Sequence, residues 1–514
     1  MTGDNAAATV VAVDLGTGGP KVGLVGLDGT VHWDGFRPAP TLRPCHDRAL
    51  QDAEDWWRSV VLLVREGLAT GIVDPASVVA VGVTGQWGST VPVDANGRPV
   101  AHARLWLDTS AAAHSRDIVG GPALGYHPTR LATWVRRTAG VPSTFGGDPV
   151  SHMLGFLRDE PDVAARTRWF LEPVDYLTTR LTGRATATPA SMSAAWLVDV
   201  RGPRPLAYDR RLVRLAGLDA ARLPPLVRSG SVVGPVDRTV SESLGIPPGA
   251  VVVAGMPDVH AAHVGSGAVA EGAAHMAIST TSWISCRVPS KHTDAIHSIA
   301  TIPALGDDGF LVADNHEAAG ACLAWLRDQG WAAEFEDLTA EAATAATGSG
   351  NVVFTPWLAG LRSPVDDRLA RGGWHNASLA TTRADLVRSV LEGVAYQARW
   401  LLDPVEKLAG SRFDSIRILG GGARSDLWCQ IHADAMDRRI ERVADPMTGQ
   451  LRGVALAAGV GIGALAWADV PRLVPVDRTF EPNPDARRIY ARLADELPKL
   501  YRCQKRTFGR LARG

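Results

Sequence analysis

A short apolar strand, a turn of phosphate size and a second apolar strand recur in this chain about 260 residues apart. The first copy is Val10 to Val13, the loop Asp14-Leu15-Gly16-Thr17-Gly18-Gly19, and Lys21 to Leu27. Asp28-Gly29 then turns the chain towards a third strand near Val31. The second copy is His275 to Ile278 and Trp283 to Val288, on either side of Ser279-Thr280-Thr281-Ser282. A repeat on this scale predicts two similar domains. Length agrees, because 514 residues exceed one ordinary core of roughly 100–250 residues. No low-complexity linker separates the halves, so we divide the chain within 245–257, into residues 1–254 and 255–514.

The intervening pattern alternates strand and helix, which predicts an α/β fold. Trp57, Val60, Val61, Val64 and Leu68 mark a helix that starts near Asp52 and Asp55, and Val78 to Val83 is a buried strand. Later come a helix over Glu317 to Gln329, a strand at Val352-Val353-Phe354, and a helix over Thr382 to Leu402. The last carries Leu386, Val390, Val394 and Gln397 on one stripe. A strand at Ser415 to Leu419 runs into Gly420-Gly421-Gly422-Ala423.

Several function classes are excluded early. A net charge of −1 leaves no electrostatic footprint for nucleic acid or an anionic membrane. The apolar run Gly453 to Ala468 is shorter than the about 20 residues that span a bilayer, and its glycines suit a closely packed buried helix. Five dispersed cysteines without C-x-x-C, and no apolar leader, predict reduced thiols in a cytoplasmic protein. A dinucleotide-binding oxidoreductase is excluded because no G-x-G-x-x-G follows the first strand.

Three features carry chemistry. An aspartate ending a buried strand before Gly-Thr can hold a magnesium ion while backbone N–H groups meet phosphate oxygens. Lys21 is one of five lysines among 53 basic residues and could stand beside those phosphates. The same residues also make an ordinary glycine hairpin. Asp258 follows the apolar run Val251 to Ala254 and the tripeptide Gly255-Met256-Pro257. It suits either a helix cap or a general base for phosphoryl transfer. A metal site through His260 and His263 would need ligands that do not share a helical face with Asp258. The triple glycine before Ala423 lets backbone approach a flat ligand such as adenosine, or forms a tight strand–helix turn.

The order of these features resembles the FGGY family of carbohydrate kinases over about Val10 to Ala468. Asp14-Leu15-Gly16-Thr17 with Lys21 is similar to the family's first phosphate loop. Val81 to Gln86 is similar to its sugar-side strand end, and Leu105-Trp106-Leu107-Asp108 to its W-x-D segment. Asp175 to Gly183, Gly255-Met256-Pro257-Asp258, Pro356 to Pro364, Leu391 to Ala395 and Gly420 to Trp428 complete the series. The Pro356 and Gly420 stretches look most like the xylulokinase branch.

The resemblance implies two actin-like (ribonuclease H-like) domains around a catalytic cleft, ATP and Mg²⁺ as cofactors, and a small sugar substrate. D-xylulose is the ketopentose expected first, with gluconate, ribulose or a pentitol as alternatives. It further implies a homodimer. By the same resemblance Asp258 is the general base and Asp14 organises the metal ion. Gly16, Thr17, Lys21, Thr281 and Ser282 hold phosphates, and Gly421, Gly422, Ala423 and Asp426 line the adenosine site. Gln86, Trp87, Trp106 and Asp108 face the sugar; either tryptophan could instead be a core aromatic.

The departures cluster on the sugar side. The family's G-Q-M-H-G reads Gly85-Gln86-Trp87-Gly88-Ser89, the residue after the catalytic aspartate is Val259, and W-x-D-x-R ends in Ser110. The second phosphate turn, usually G-T-S, is Thr280-Thr281-Ser282, and His152 stands where lysine is usual. These changes imply altered substrate choice, or an actin-like regulator that binds nucleotide without phosphorylating sugar.

Overall fold

The computed structural model describes residues 8–123, 125–202, 206–306 and 308–512. Strands β1 (Thr9–Gly16) and β2 (Gly19–Gly26) pair antiparallel, with Gly16 opposite Gly19 at the turn. Gly19 turns at φ +137°, and a Cβ there would lie 2.7 Å from the Ala39 nitrogen, so the turn needs glycine. Next to β2 lies β3 (Val31–Phe36), while β4 (Val78–Gly85) and β5 (Val251–Val253) run parallel on the other side of β1. The core order is β3-β2-β1-β4-β5.

The second half repeats this order. The expected hairpin is β6 (Ala274–Ile278) and β7 (Ser282–Val288), flanked by β8 (Ile299–Pro303) and β9 (Phe310–Ala313) on one side. On the other side β10 (Ser415–Leu419) and β11 (Arg439–Val443) run parallel to β6. The core order is β9-β7-β6-β10-β11, the same third-second-first-fourth-fifth sequence as before. Two similar sheets are therefore present, as the repeat predicted, in the actin-like, ribonuclease H-like arrangement that the resemblance implied. Between β4 and β5 a further lobe has its own core, from Ile118 and Trp134 through Phe156 to Leu226.

Helix α1 (Ala53–Ala69) is capped by Asp52, whose side chain accepts from the Glu54 N–H. Its buried face is Trp56, Val60, Leu63, Val64 and Leu68, and the predicted Trp57 and Val61 flank that face half-buried. Trp56 takes the inner place because Gln51 offers its indole N–H an acceptor at 3.0 Å. Between the domains lie α2 (Asp258–Gly265) and α5 (Gly449–Gly461), with α3 (Arg383–Ala409) and α4 (Asp426–Met436) on the second sheet. A capping box of Thr382 and Asp385 starts α3, which continues past the predicted end at Leu402 to a left-handed Gly410.

Although α5 comes late in the chain, it packs beneath the first sheet. A Cβ on Gly82 would lie 2.6 Å from Val454 Cγ1, and one on Gly23 2.9 Å from Leu451 Cδ1. It also crosses α2 at close range. A Cβ on Gly265 would overlap the Gly449 carbonyl, and one on Gly453 would overlap the Ala261 carbonyl. The predicted apolar segment is thus a buried helix, starting earlier and ending earlier than the run Gly453 to Ala468. No helix among the described residues is long and apolar enough to cross a membrane. Met256 and Pro257 pair with Thr84 and Gly85, so the first sheet runs up to Asp258, past residue 254.

Gly453→Ala should lower stability by about 1–3 kcal/mol by forcing α2 and α5 apart, read from the urea midpoint. Gly509→Ala, with nothing within 4 Å and a helical backbone, should leave stability unchanged or raise it by up to about 1 kcal/mol.

Candidate active site

Parallel pairing gathers the candidate residues at one end of the first sheet. Asp14 near the end of β1 lies opposite Thr84 of β4, and Thr84 in turn pairs with Met256, its hydroxyl bonded to the Met256 carbonyl at 2.9 Å. Two residues beyond Met256 stands Asp258. It is the first residue of α2, with Pro257 in the cap position, so the capping role is not the one it takes. Its Oδ1 accepts the Val259 N–H at 2.8 Å.

Burial first, and the charge of Asp14 second, raise Asp258 to about 7. Burial likewise raises Asp14 to about 6, against the opposing pull of Lys21. Two carboxyls pushed up together can hold and pass a proton near neutrality. Their oxygens also suit a hard cation, whose charge would relieve the repulsion between them. The His260–His263 metal reading fails: His260 Nε2 meets the Pro303 carbonyl at 2.8 Å, and His263 packs on His275 with centroids 5.3 Å apart. Among the described residues no three or more His, Cys, Asp or Glu form a metal cage.

The first turn is held by Gln51 and Trp106. Thr17 accepts from Trp106 Nε1 on its hydroxyl at 3.1 Å and from Gln51 Nε2 on its carbonyl at 2.8 Å. Lys21 sits across the hairpin from Asp14 and donates to the Met447 carbonyl at 3.2 Å, reaching from the first domain to the second. The second turn is tied to the start of the helix Gly320–Asp328. Ala319 and Ala321 donate to the Thr280 carbonyl, and Gly320 donates to that of Ser279. Thr280 keeps an ordinary negative φ, which is why a side chain is tolerated where the family uses glycine. Thr281 is half-buried at the turn, and the buried Ser282 hydroxyl has no protein partner.

The glycine turn crosses the end of β6. Gly420 has φ +93°, and a Cβ on it would lie 2.5 Å from the Ile278 carbonyl; a Cβ on Gly422 would overlap the Ile278 side chain. Gly421 faces open space apart from Met447 Sδ, and Ala423 is buried. Beside them opens a cavity of about 380 Å³ lined by Asp34, Arg424, Pro446, Met447 and Thr448 among others. Asp426 is bound to Arg442 at 2.6 Å and to Arg478, so its carboxylate anchors the start of α4.

At the residues expected to face sugar, the polar atoms are largely engaged within the protein. Gln86 is buried and bonded to Ser89 and Gln51, while Trp87 donates to the Ser191 carbonyl at 2.8 Å. Asp108 accepts from Ala49 N at 3.0 Å and from the Ser110 hydroxyl at 2.6 Å, closing a buried turn. His152 bonds the Asp108 carbonyl, and burial lowers it to about 4, so it is neutral and does not replace a lysine's charge. Sequence reading passed over Gln51 and Glu172. Glu172 accepts the Gly88 N–H at 3.1 Å, with burial and nearby Asp175 pushing its carboxyl well up. Neither residue stands in a local pattern that marks it.

Residues 9–265 match the N-terminal domain, and residues 275–462 the C-terminal domain, of the FGGY family of carbohydrate kinases. The chain belongs to this family. It is similar to a xylulose kinase of Staphylococcus epidermidis, 27% identical over 96% of this chain and 97% of that protein. A glycerol kinase of Dechloromonas aromatica is 28% identical over 95% of each. Its fold is shared with a gluconate kinase from Lactobacillus acidophilus at TM-score 0.85 and 19% identity, covering 98% of this chain and 99% of that one. This FGGY kinase is a phosphotransferase with an alcohol group as acceptor.

The raised carboxyls give the kinase a pH signature. Asp258 holds its proton more tightly folded than unfolded. The stability this confers is complete below pH 3.8 and lost as pH rises through about 7. Asp258→Asn should therefore raise stability by about 1–3 kcal/mol at pH 8 and far less at pH 4, by urea titration without metal or nucleotide.

Proposed function

We propose that this kinase transfers the γ-phosphate of ATP to a hydroxyl of a small sugar, with a ketopentose such as D-xylulose as the favoured substrate. The supporting observation is the Asp14–Asp258 pair, set where β1, β4 and Met256-Pro257 end together. Asp258 takes the proton of the acceptor hydroxyl as its oxygen bonds to the γ-phosphorus and the bond to the departing ADP oxygen breaks. With its proton affinity near neutrality, Asp258 suits that role.

Asp14 is the residue that would hold Mg²⁺, directly or through water, and the ion would supply charge neutralisation at the phosphates. Gly16, Thr17 and Lys21 on one side, with Thr281 and Ser282 on the other, bind phosphate oxygens. Ser282 is suited to this by a hydroxyl without a protein partner. Gly421, Gly422 and Ala423 lie against the adenosine, and Asp426 fixes their helix. Trp87 and Trp106 wall the sugar, with Gln86 and Asp108 behind them. We place the reaction in the cytoplasm, where ATP and Mg²⁺ are abundant.

ADP formation should be stimulated by at least one member of a panel of D-xylulose, ribulose, gluconate, glycerol and pentitols. Asp258→Asn should lower kcat on that substrate by about 10²–10⁴-fold while nucleotide still binds. Slow ATP hydrolysis indifferent to every acceptor would replace this reading with that of a nucleotide-binding regulator.

A further inference from the structure

Five residues from four separated segments close a ring of hydrogen bonds between the sugar-side loop and the first phosphate turn. Gln51 Nε2 donates to the Thr17 carbonyl at 2.8 Å, and Gln86 Nε2 lies 3.5 Å from Gln51 Oε1. Ser89 Oγ donates to Gln86 Oε1 at 3.1 Å and accepts the Trp106 backbone N–H at 3.0 Å. Trp106 Nε1 returns to the Thr17 hydroxyl at 3.1 Å. The Gln86 backbone N–H also donates to the Leu15 carbonyl at 2.8 Å, joining the two loops a second time.

The directions of these bonds are determined by their chemistry. An indole N–H can only donate, so Trp56 Nε1 at 3.0 Å makes Gln51 present Oε1 to it and turn its NH₂ towards Thr17. Trp106 likewise only donates, so the Thr17 oxygen is its acceptor and the Thr17 proton must point elsewhere. Among the described residues no acceptor takes that proton. It is left to donate into the turn, where a phosphate oxygen would be. Gln51, Gln86 and Ser89 are 1%, 4% and 0% exposed, so water cannot replace a lost partner without rearrangement.

We propose that this ring positions Thr17 for phosphate binding and couples the sugar-side loop to the nucleotide, with Gln51 and Ser89 as positioning residues. The inference rests on the kinase reading for the identity of the two ligands, but its test does not require turnover. Loop movement at Gln86 or Trp106 when a sugar arrives would be passed to Thr17 through the ring, and nucleotide arrival would tighten the sugar-side loop by the same amount.

The experiment measures ADP affinity by titration calorimetry in the absence of sugar, on the full chain, with melting curves confirming that each variant is folded. Ser89→Ala, distant in the ring from the phosphates, should weaken ADP about 5- to 20-fold, and Ser89→Thr, which keeps the hydroxyl, should restore it. Trp106→Phe, which keeps an aromatic ring but removes the N–H, should weaken ADP similarly. Adding Thr17→Val to Trp106→Phe should cost less than the two single losses combined, because both remove the same bond. ADP affinity unchanged in both Ser89→Ala and Trp106→Phe, or fully additive losses in the double variant, would overturn the coupling. If either single variant does not fold, Gln51→Met is measured under the same criterion. A wild-type chain that binds ADP but phosphorylates no acceptor would defeat the kinase reading alone, leaving the ring to be judged by the ADP affinities.

Discussion

The close crossing of α2 and α5 is the constraint on which the rest of the structure depends. At Gly265 and Gly453 each helix occupies space that a single Cβ would take, so the backbones meet with almost nothing between them. That contact holds a helix from the C-terminal half beneath the first sheet, and it places Asp258 at the head of α2 beside the end of β1. A bulkier crossing would separate the domains and with them the two halves of the site. The apolar cluster around the crossing draws on both domains, with Val10, Ala12 and Ala80 from the first and Ala277, Trp283 and Leu419 from the second. Burial shared in this way makes the relative placement of the domains a packing property rather than a property of a linker.

Electrostatics follows from that placement. Asp14 and Asp258 are far apart in sequence and individually unremarkable carboxylates. Brought together in a desolvated cleft, both are made harder to ionise by burial; the charge of Asp14 adds to this at Asp258, and Lys21 opposes it at Asp14. Lys21 meanwhile spans the domains through the Met447 carbonyl, beside the cavity that the glycine turn borders. Charge, proton affinity and the glycine turn thus share a few bonds between the halves.

Much of the fold was legible in the sequence because hairpins and buried strands are written locally. Val10 to Val13 falls within β1, Ser415 to Leu419 matches β10, and Lys21 to Leu27 overlaps β2 as far as Gly26, since runs of apolar residues bounded by glycine turns admit little else. On α1 the expected Val60, Val64 and Leu68 are buried, but Trp56 and Leu63 take the inner places expected for Trp57 and Val61, and Gln51 supplies the acceptor for the Trp56 indole. The extension of α3 through Pro404 was missed, since a proline reads as a stop until flanking contacts bury it. Asp108 and Gln86 stand in the expected order, yet their polar atoms are satisfied by Ala49, Ser110, Ser89 and Gln51, which no spacing rule connects to them.

By itself, the sequence determined the doubled strand-turn-strand units, the two glycine- and threonine-bearing turns within them, and the aspartates available for chemistry, because each depends on residues adjacent in the chain. Only the tertiary structure decided which groups remain free to act. The proton affinity of Asp258 is set by burial and then by Asp14, the orientation of the Thr17 hydroxyl by Trp106, and the amide of Gln51 by Trp56. Each of these is a through-space effect of desolvation or of a donor meeting an acceptor, and it exists only once α2 and α5 have brought distant segments into contact.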